Sequence, residues 1–222
     1  MADEQKQKVK VWDAPVRIFH WLLVTAFALS AYSAFQDKFD IHADIHLYAG
    51  LSVFALVIWR VLWGFVGSDT ARFSQFVKGP KATAAYAKTA FGSAPYKSTG
   101  HNPLGAVSVV LMLLLLLVQA GLGLFATDAM FFEGPFASDI SSRLSEDLTE
   151  IHEWTGYTLL GLIGLHILVI AFYGLVRRVN LVMPMITGRS HHAATTPKMA
   201  SWVFGLALLI LVAGCVWWWV FG

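Results

Sequence analysis

Four histidines stand inside the long apolar runs of this chain: His20, His46, His152 and His166. An ionisable side chain is costly at membrane depth, and imidazole there serves as a metal ligand or a proton relay. His152 and His166 lie fourteen residues apart on one run. On a helix that spacing is roughly 21 Å along the axis and returns to within about 40° of the starting direction. The two therefore project from nearly one face at two depths. Polar residues at the run ends set the depth of the other two. His46 follows Asp44 by two residues, as His152 follows Glu150 by two; His20 is sixteen residues from Gln36, as His166 is sixteen from Glu150. Depth thus pairs His46 with His152 at an outer level and His20 with His166 at an inner one.

Two imidazoles at each level suit an iron porphyrin better than zinc, which takes four ligands in a tetrahedron. The chain has one cysteine, Cys215, so the Cys-x-x-Cys-His attachment of haem is excluded and two removable haem b groups are expected. His46 and His152 each precede a glycine by four residues, Gly50 and Gly156. Residues four apart share a helix face, and a missing side chain there lets a flat macrocycle approach the backbone; the plainer alternative is close helix packing in lipid. Arg60, fourteen residues after His46, and Arg17 are candidates to clamp a haem propionate or to snorkel to the interface. His42 belongs to the outer loop, facing water or the outer haem edge. His101 opens Gly100-His101-Asn102-Pro103, a turn and helix start or a group beside the inner cofactor. His191 and His192 sit in a polar inner loop and are expected to be solvated.

The elements that must carry these residues are membrane spans. The chain of 222 residues is 57% hydrophobic and only 14% charged, where a soluble domain would be about a quarter charged. Five runs approach the ~20 residues a spanning helix needs: residues 16–35, 45–66, 103–126, 154–176 and 202–221. Trp217, Trp218 and Trp219 form an interfacial aromatic cluster. The first run is too long for a signal-peptide core and lacks a convincing cleavage site, so it is expected to be retained. Lysine and arginine alternate between loops. Lys6, Lys8, Lys10 and Arg17, then Arg72, Lys78, Lys81, Lys88 and Lys97, then Arg177, Arg178, Arg189 and Lys198 mark one side; Lys38 and Arg143 stand alone on the other. The positive-inside rule puts the N-terminus of this multi-pass chain in the cytoplasm and the C-terminus, after an odd number of spans, outside. Residues 82–91 can form a short interfacial helix, and residues 187–197 are polar and expected to be flexible. The outer loop at 127–151 is acidic, which fits docking of a basic partner or simply reflects the scarcity of lysine and arginine outside. Membrane lipid is an expected contact; nucleic acid is not.

The strings Ala14-Pro15-Val16-Arg17-Ile18-Phe19-His20-Trp21, Ile45-His46-Leu47-Tyr48-Ala49-Gly50, Arg60-Val61-Leu62-Trp63-Gly64-Phe65-Val66-Gly67, Gly100-His101-Asn102-Pro103 and Ile151-His152 through His166 together resemble the bacterial di-haem cytochrome b561 family. That family includes the cytochrome b subunit of membrane-bound nickel–iron hydrogenases. The resemblance covers residues 11–178 and implies a four-helix transmembrane bundle holding two b haems, ligated by His20 and His166 at the inner level and His46 and His152 at the outer. It implies residues 1–12 as a cytoplasmic tail, 13–178 as the di-haem bundle, 179–199 as a cytoplasmic linker and 200–222 as an additional, fifth transmembrane helix that departs from the family core.

The resemblance further implies electron transfer between a membrane quinone pool and a periplasmic redox partner, a cytochrome c or a dehydrogenase or hydrogenase subunit. Arg17, His101 and Asn102 are the candidate quinone contacts. A superoxide:quinone oxidoreductase is one rival; it needs cationic attraction at the outer face, which the acidic loop opposes. A histidine-lined metal or proton transporter is the other; no broken-helix pair or inverted repeat supports it, and it predicts a colourless protein.

Overall fold

Asp13 begins the first long helix by accepting the Val16 amide on Oδ1 at 2.7 Å, which satisfies one of the donors a helix start leaves open. Pro15 follows in the first turn, where its missing N–H costs nothing. The computed structural model describes residues 8–36, 41–89, 98–130, 132–191, 193 and 195–222. Lys6, Lys38, Lys97 and His192, and the last two of residues 82–91, lie outside the described residues.

The described elements are β1 (Val9–Lys10), α1 (Ala14–Ala34), α2 (Ile41–Val66), α3 (Phe73–Phe76), α4 (Pro80–Thr89), α5 (Pro103–Gly123), a 3-10 turn (Ala137–Asp139), α6 (Ser142–Leu175), α7 (Val182–Thr187), β2 (Arg189–Ser190) and α8 (Trp202–Phe221). Five of them, α1, α2, α5, α6 and α8, are long and apolar enough to cross a membrane. The helix α4 occupies most of the stretch expected to be interfacial.

Two boundaries differ from the expectation. The helix α2 begins at Ile41, so His42 lies in its first turn and not in a loop, its ring 6.1 Å from that of Tyr32. The helix α6 begins at Ser142, twelve residues before the apolar run. Ser141 accepts the Leu144 amide on Oγ at 3.3 Å, and the residues that follow include Arg143, Leu144, Glu146 and Leu148, good helix formers whatever their charge. Hydropathy marks where lipid begins; it does not mark where a helix begins.

The chain divides into two compact units. One comprises Met1–Ile18, Leu62–Leu111 and Leu165–Leu206. In it β1 pairs antiparallel with β2, Val9 opposite Ser190 and Lys10 opposite Arg189. The Val11 and Trp12 amides both reach the Gly188 carbonyl, at 2.7 and 3.2 Å. Gly188 closes α7 with φ +79°, a left-handed cap that disfavours any side chain. The Ala200 amide donates to Ser68 Oγ at 2.8 Å, and the Thr195 amide to Thr99 Oγ1 at 3.0 Å. The polar stretch before α8, expected to be flexible, is thus tied down at several described residues. Strand pairing and side-chain acceptors hold its backbone where hydrophobic burial does not. Gly205 of α8 brings its backbone against Pro15 and Trp63.

The other unit comprises Phe19–Val61, Met112–Gly164 and Ala207–Gly222. Trp219 of α8 packs on Phe136 at 4.7 Å between ring centres and on Phe54 at 6.2 Å. The connection from α5 to α6 folds back on itself: the Gly134 amide reaches the Ala126 carbonyl at 2.7 Å, and the Phe136 amide the Leu124 carbonyl at 2.9 Å. Ser145 Oγ of α6 donates to the Phe125 carbonyl at 2.6 Å. These bonds bring the start of α6 against the end of α5, close to His152.

Candidate haem site

His46 enters from α2 and His152 from α6, and the structure brings them together. Their ring centres are 6.1 Å apart, with planes at 81°. Two imidazole–metal bonds of about 2.0–2.1 Å, with roughly 1 Å from each nitrogen to its ring centre, also place two rings about 6 Å apart. The separation suits a metal held between the two.

Each ring is anchored in the same manner. His46 Nδ1 lies 2.9 Å from the Ser30 carbonyl of α1. His152 Nδ1 lies 2.9 Å from the Gln119 carbonyl of α5. A carbonyl only accepts, so Nδ1 carries the proton in both rings and Nε2 holds the lone pair. Ser33 Oγ, 3.3 Å from His46 Nδ1, donates its own proton to the Ser30 carbonyl and therefore accepts from the ring. A ligating histidine characteristically donates its second nitrogen to a carbonyl, which fixes tautomer and orientation. This donor chemistry fits haem iron: two neutral imidazoles, each presenting Nε2.

The surroundings of His152 were not singled out from the sequence. Gln119 Nε2 lies 3.2 Å from His152 Nε2, and Thr155 Oγ1 bonds Gln119 Oε1. A side chain at Gly123 would place Cβ 3.0 Å from His152 Cε1. The available signal was Gln119 itself, a polar residue inside an otherwise apolar run. Of the two expected glycines, Gly156 lies against Gln119, with its hypothetical Cβ 3.2 Å from the amide nitrogen, while at Gly50 a Cβ would meet nothing within 4 Å.

The inner candidates stand on their expected helices, half-buried: His20 on α1 and His166 on α6. Arg60 is buried, at 2% exposure, which does not fit snorkelling to an interface. Arg17 is engaged by main chain, its Nε donating to the Asp13 carbonyl at 3.3 Å and its NH1 to the Ile186 carbonyl. His101 sits between Trp12 and Phe76, with ring centres at 4.8 and 4.6 Å. Asn102 Oδ1 accepts the Gly105 amide at 2.8 Å, so the helix-start reading of Asn102-Pro103 describes what its side-chain oxygen does.

No solved structure matches the chain. A relative described as a probable Ni/Fe-hydrogenase B-type cytochrome subunit, from Rhizobium leguminosarum bv. viciae, is 26% identical over 218 residues, covering 83% of this chain and 89% of its own length. The family described as prokaryotic cytochrome b561 matches residues 11–188, a stretch that contains all four intramembrane histidines and the anchored pair His46 and His152. The chain belongs to the prokaryotic cytochrome b561 family, whose name implies haem b in a membrane protein of electron transport.

Proposed function

We propose that this protein carries electrons across the membrane through two b haems, one held by His46 and His152 and the other by His20 and His166. The observation that carries the reading is the His46–His152 pair, with both Nδ1 protons given to main-chain carbonyls. Haem supplies the one-electron couple when bound. The chain's own residues do the rest. Ser30 and Gln119 set the tautomer of the outer ligands, and the apolar helices exclude water. Residues 13–178 form the di-haem bundle, with 1–12 and 179–199 as cytoplasmic segments and 200–222 as an added helix; the N-terminus is cytoplasmic and the C-terminus periplasmic.

The electron partners extend the same reading. A membrane quinone exchanges electrons at the inner level, near His101 in its aromatic setting between Trp12 and Phe76, with Asn102 next to His101 and Arg17 five residues after Trp12. Arg17 and Arg60 are the cations that would meet haem propionates, and Gly50 and Gly156 the positions where a macrocycle would approach backbone. The periplasmic partner is a redox protein, and a hydrogenase is the one that the name of the Rhizobium relative points to. Exposed Glu146, Asp147 and Glu150 on α6 favour a basic docking face over an anionic small substrate such as superoxide.

The test is a dithionite-reduced spectrum with haem quantitation. Low-spin b bands and two haems per chain are expected, falling to one in His152→Ala and in His166→Ala. A colourless protein, or unchanged haem content in both variants, overturns the reading.

A further inference from the structure

We infer that Gln119 and Gly123, one turn apart on α5, are positioning residues for His152, so that a helix contributing no ligand of its own sets the plane of the outer one. The inference rests on His46 and His152 being that ligand pair. Three contacts form the seat, all within one compact unit. The Gln119 carbonyl takes the Nδ1 proton at 2.9 Å. The Gln119 side-chain amide donates to Nε2 at 3.2 Å and is itself held by Thr155 Oγ1. The bare backbone of Gly123 lies where a Cβ would stand 3.0, 3.4 and 3.8 Å from Cε1, Nδ1 and Nε2.

The contacts differ in kind. The carbonyl and Gly123 contacts leave the Nε2 lone pair untouched, so they are compatible with a metal on that nitrogen. The amide contact uses that same lone pair, so it competes with the metal. Gln119 therefore acts in two opposed ways through one residue. Its main chain orients the ligand, and its side chain holds the lone pair when no metal takes it. Thr155 Oγ1, which also lies 2.9 and 3.1 Å from the Ile151 and His152 carbonyls, ties the Gln119 amide to α6 and so acts on the ring through Gln119.

This opposition makes the role testable by sign. Gly123 is helical and outside the positive-φ glycines, so alanine there strains no backbone and favours the helix. What Gly123→Ala does is push the imidazole. We expect it to weaken retention of one haem by roughly 10- to 100-fold, the range for disturbed supports of metal ligands. Gln119→Leu keeps the carbonyl and removes the competitor. It should tighten retention of that same haem by up to about tenfold, the worth of one net hydrogen bond.

The measurement is haem release from the purified, haem-loaded protein to excess apomyoglobin, followed with the oxidised low-spin EPR spectrum. Two imidazoles that kept their 81° angle when iron is bound would leave the iron orbitals close in energy, and the outer haem would then give a strongly anisotropic signal. Gly123→Ala should shift it and leave the other haem's signal in place. Thr155→Val should follow Gln119→Leu in release rate, and Thr155→Ser should restore the native rate. If both Gln119→Leu and Gly123→Ala speed release alike, or if neither moves rate nor spectrum, the seat is ordinary packing and the inference fails. A wild-type protein holding one haem, with His152→Ala unchanged, would instead remove the ligand pair on which it rests.

Discussion

Asp13 Oδ2 accepts the indole N–H of Trp63 at 3.2 Å while its Oδ1 accepts the Val16 amide at 2.7 Å. One carboxylate at 2% exposure thus starts α1 and pins a Trp63 that is itself fully buried. Asp13→Ala removes a helix cap and the hydrogen bond that the buried Trp63 indole gives to Asp13. Together these cost about 1–3 kcal/mol. Thermal unfolding in detergent should show that loss, with Asp13→Asn, which retains an acceptor for the cap, falling between wild type and alanine.

The anchoring of His46 predicts a chemical rescue. His46→Gly removes one imidazole and keeps the Ser30 carbonyl that held it. Haem content should fall from two per chain to one. Free imidazole at millimolar concentration should restore the second, since it can give one N–H to the same carbonyl and offer the other nitrogen to iron. Absence of rescue in an otherwise folded variant would count against ligation at this position.

Asp69 links the residues before α8 to pH. The Lys198 amide donates to its carboxylate at 2.8 Å and is the main reason its pKa lies below the ordinary carboxylate value; neighbouring Arg72 adds to the effect and burial opposes it. A depressed pKa means that the charged form is favoured in the folded state. The stabilising contribution is therefore complete above the ordinary value near 3.8 and is lost as pH falls through the lowered one. Hydrogen exchange at the Lys198 amide, corrected for its intrinsic rate, should stay protected at pH 4 and open below that. Asp69→Asn should abolish the transition.

Gly205 tests how α8 seats. A Cβ there would stand 2.7 Å from Pro15 Cγ and 3.2 Å from Trp63 Cη2, and neither ring yields easily. Gly205→Ala should cost about 1–3 kcal/mol by overpacking, despite alanine's better helix propensity. Leucine at Gly214, where a Cβ meets nothing within 4 Å, is the control that should leave unfolding unchanged.

The spans and the pairing of His46 with His152 were readable along the chain because hydropathy and helical rise are local properties. Hydropathy also described α8, while the helix start at Asn102-Pro103 was one of the readings its turn chemistry left open. These local signals placed the starts of α2 and α6 too late, because helix begins before the lipid-compatible residues. They also missed the ties at Ser68, Asp69 and Gly188, because a polar segment carries no pattern that announces which distant carbonyl or hydroxyl its amides will meet. Gln119 is a polar residue in an otherwise apolar run, and nothing local singles out Gly123. Their significance arises only when α5 and α6 pack and put one backbone carbonyl and one bare Cα against a particular imidazole. Which residues can ligate is a matter of chemical type and spacing; which neighbours orient them depends on contacts between segments far apart in the chain, where packing distances of a few tenths of an ångström decide the outcome.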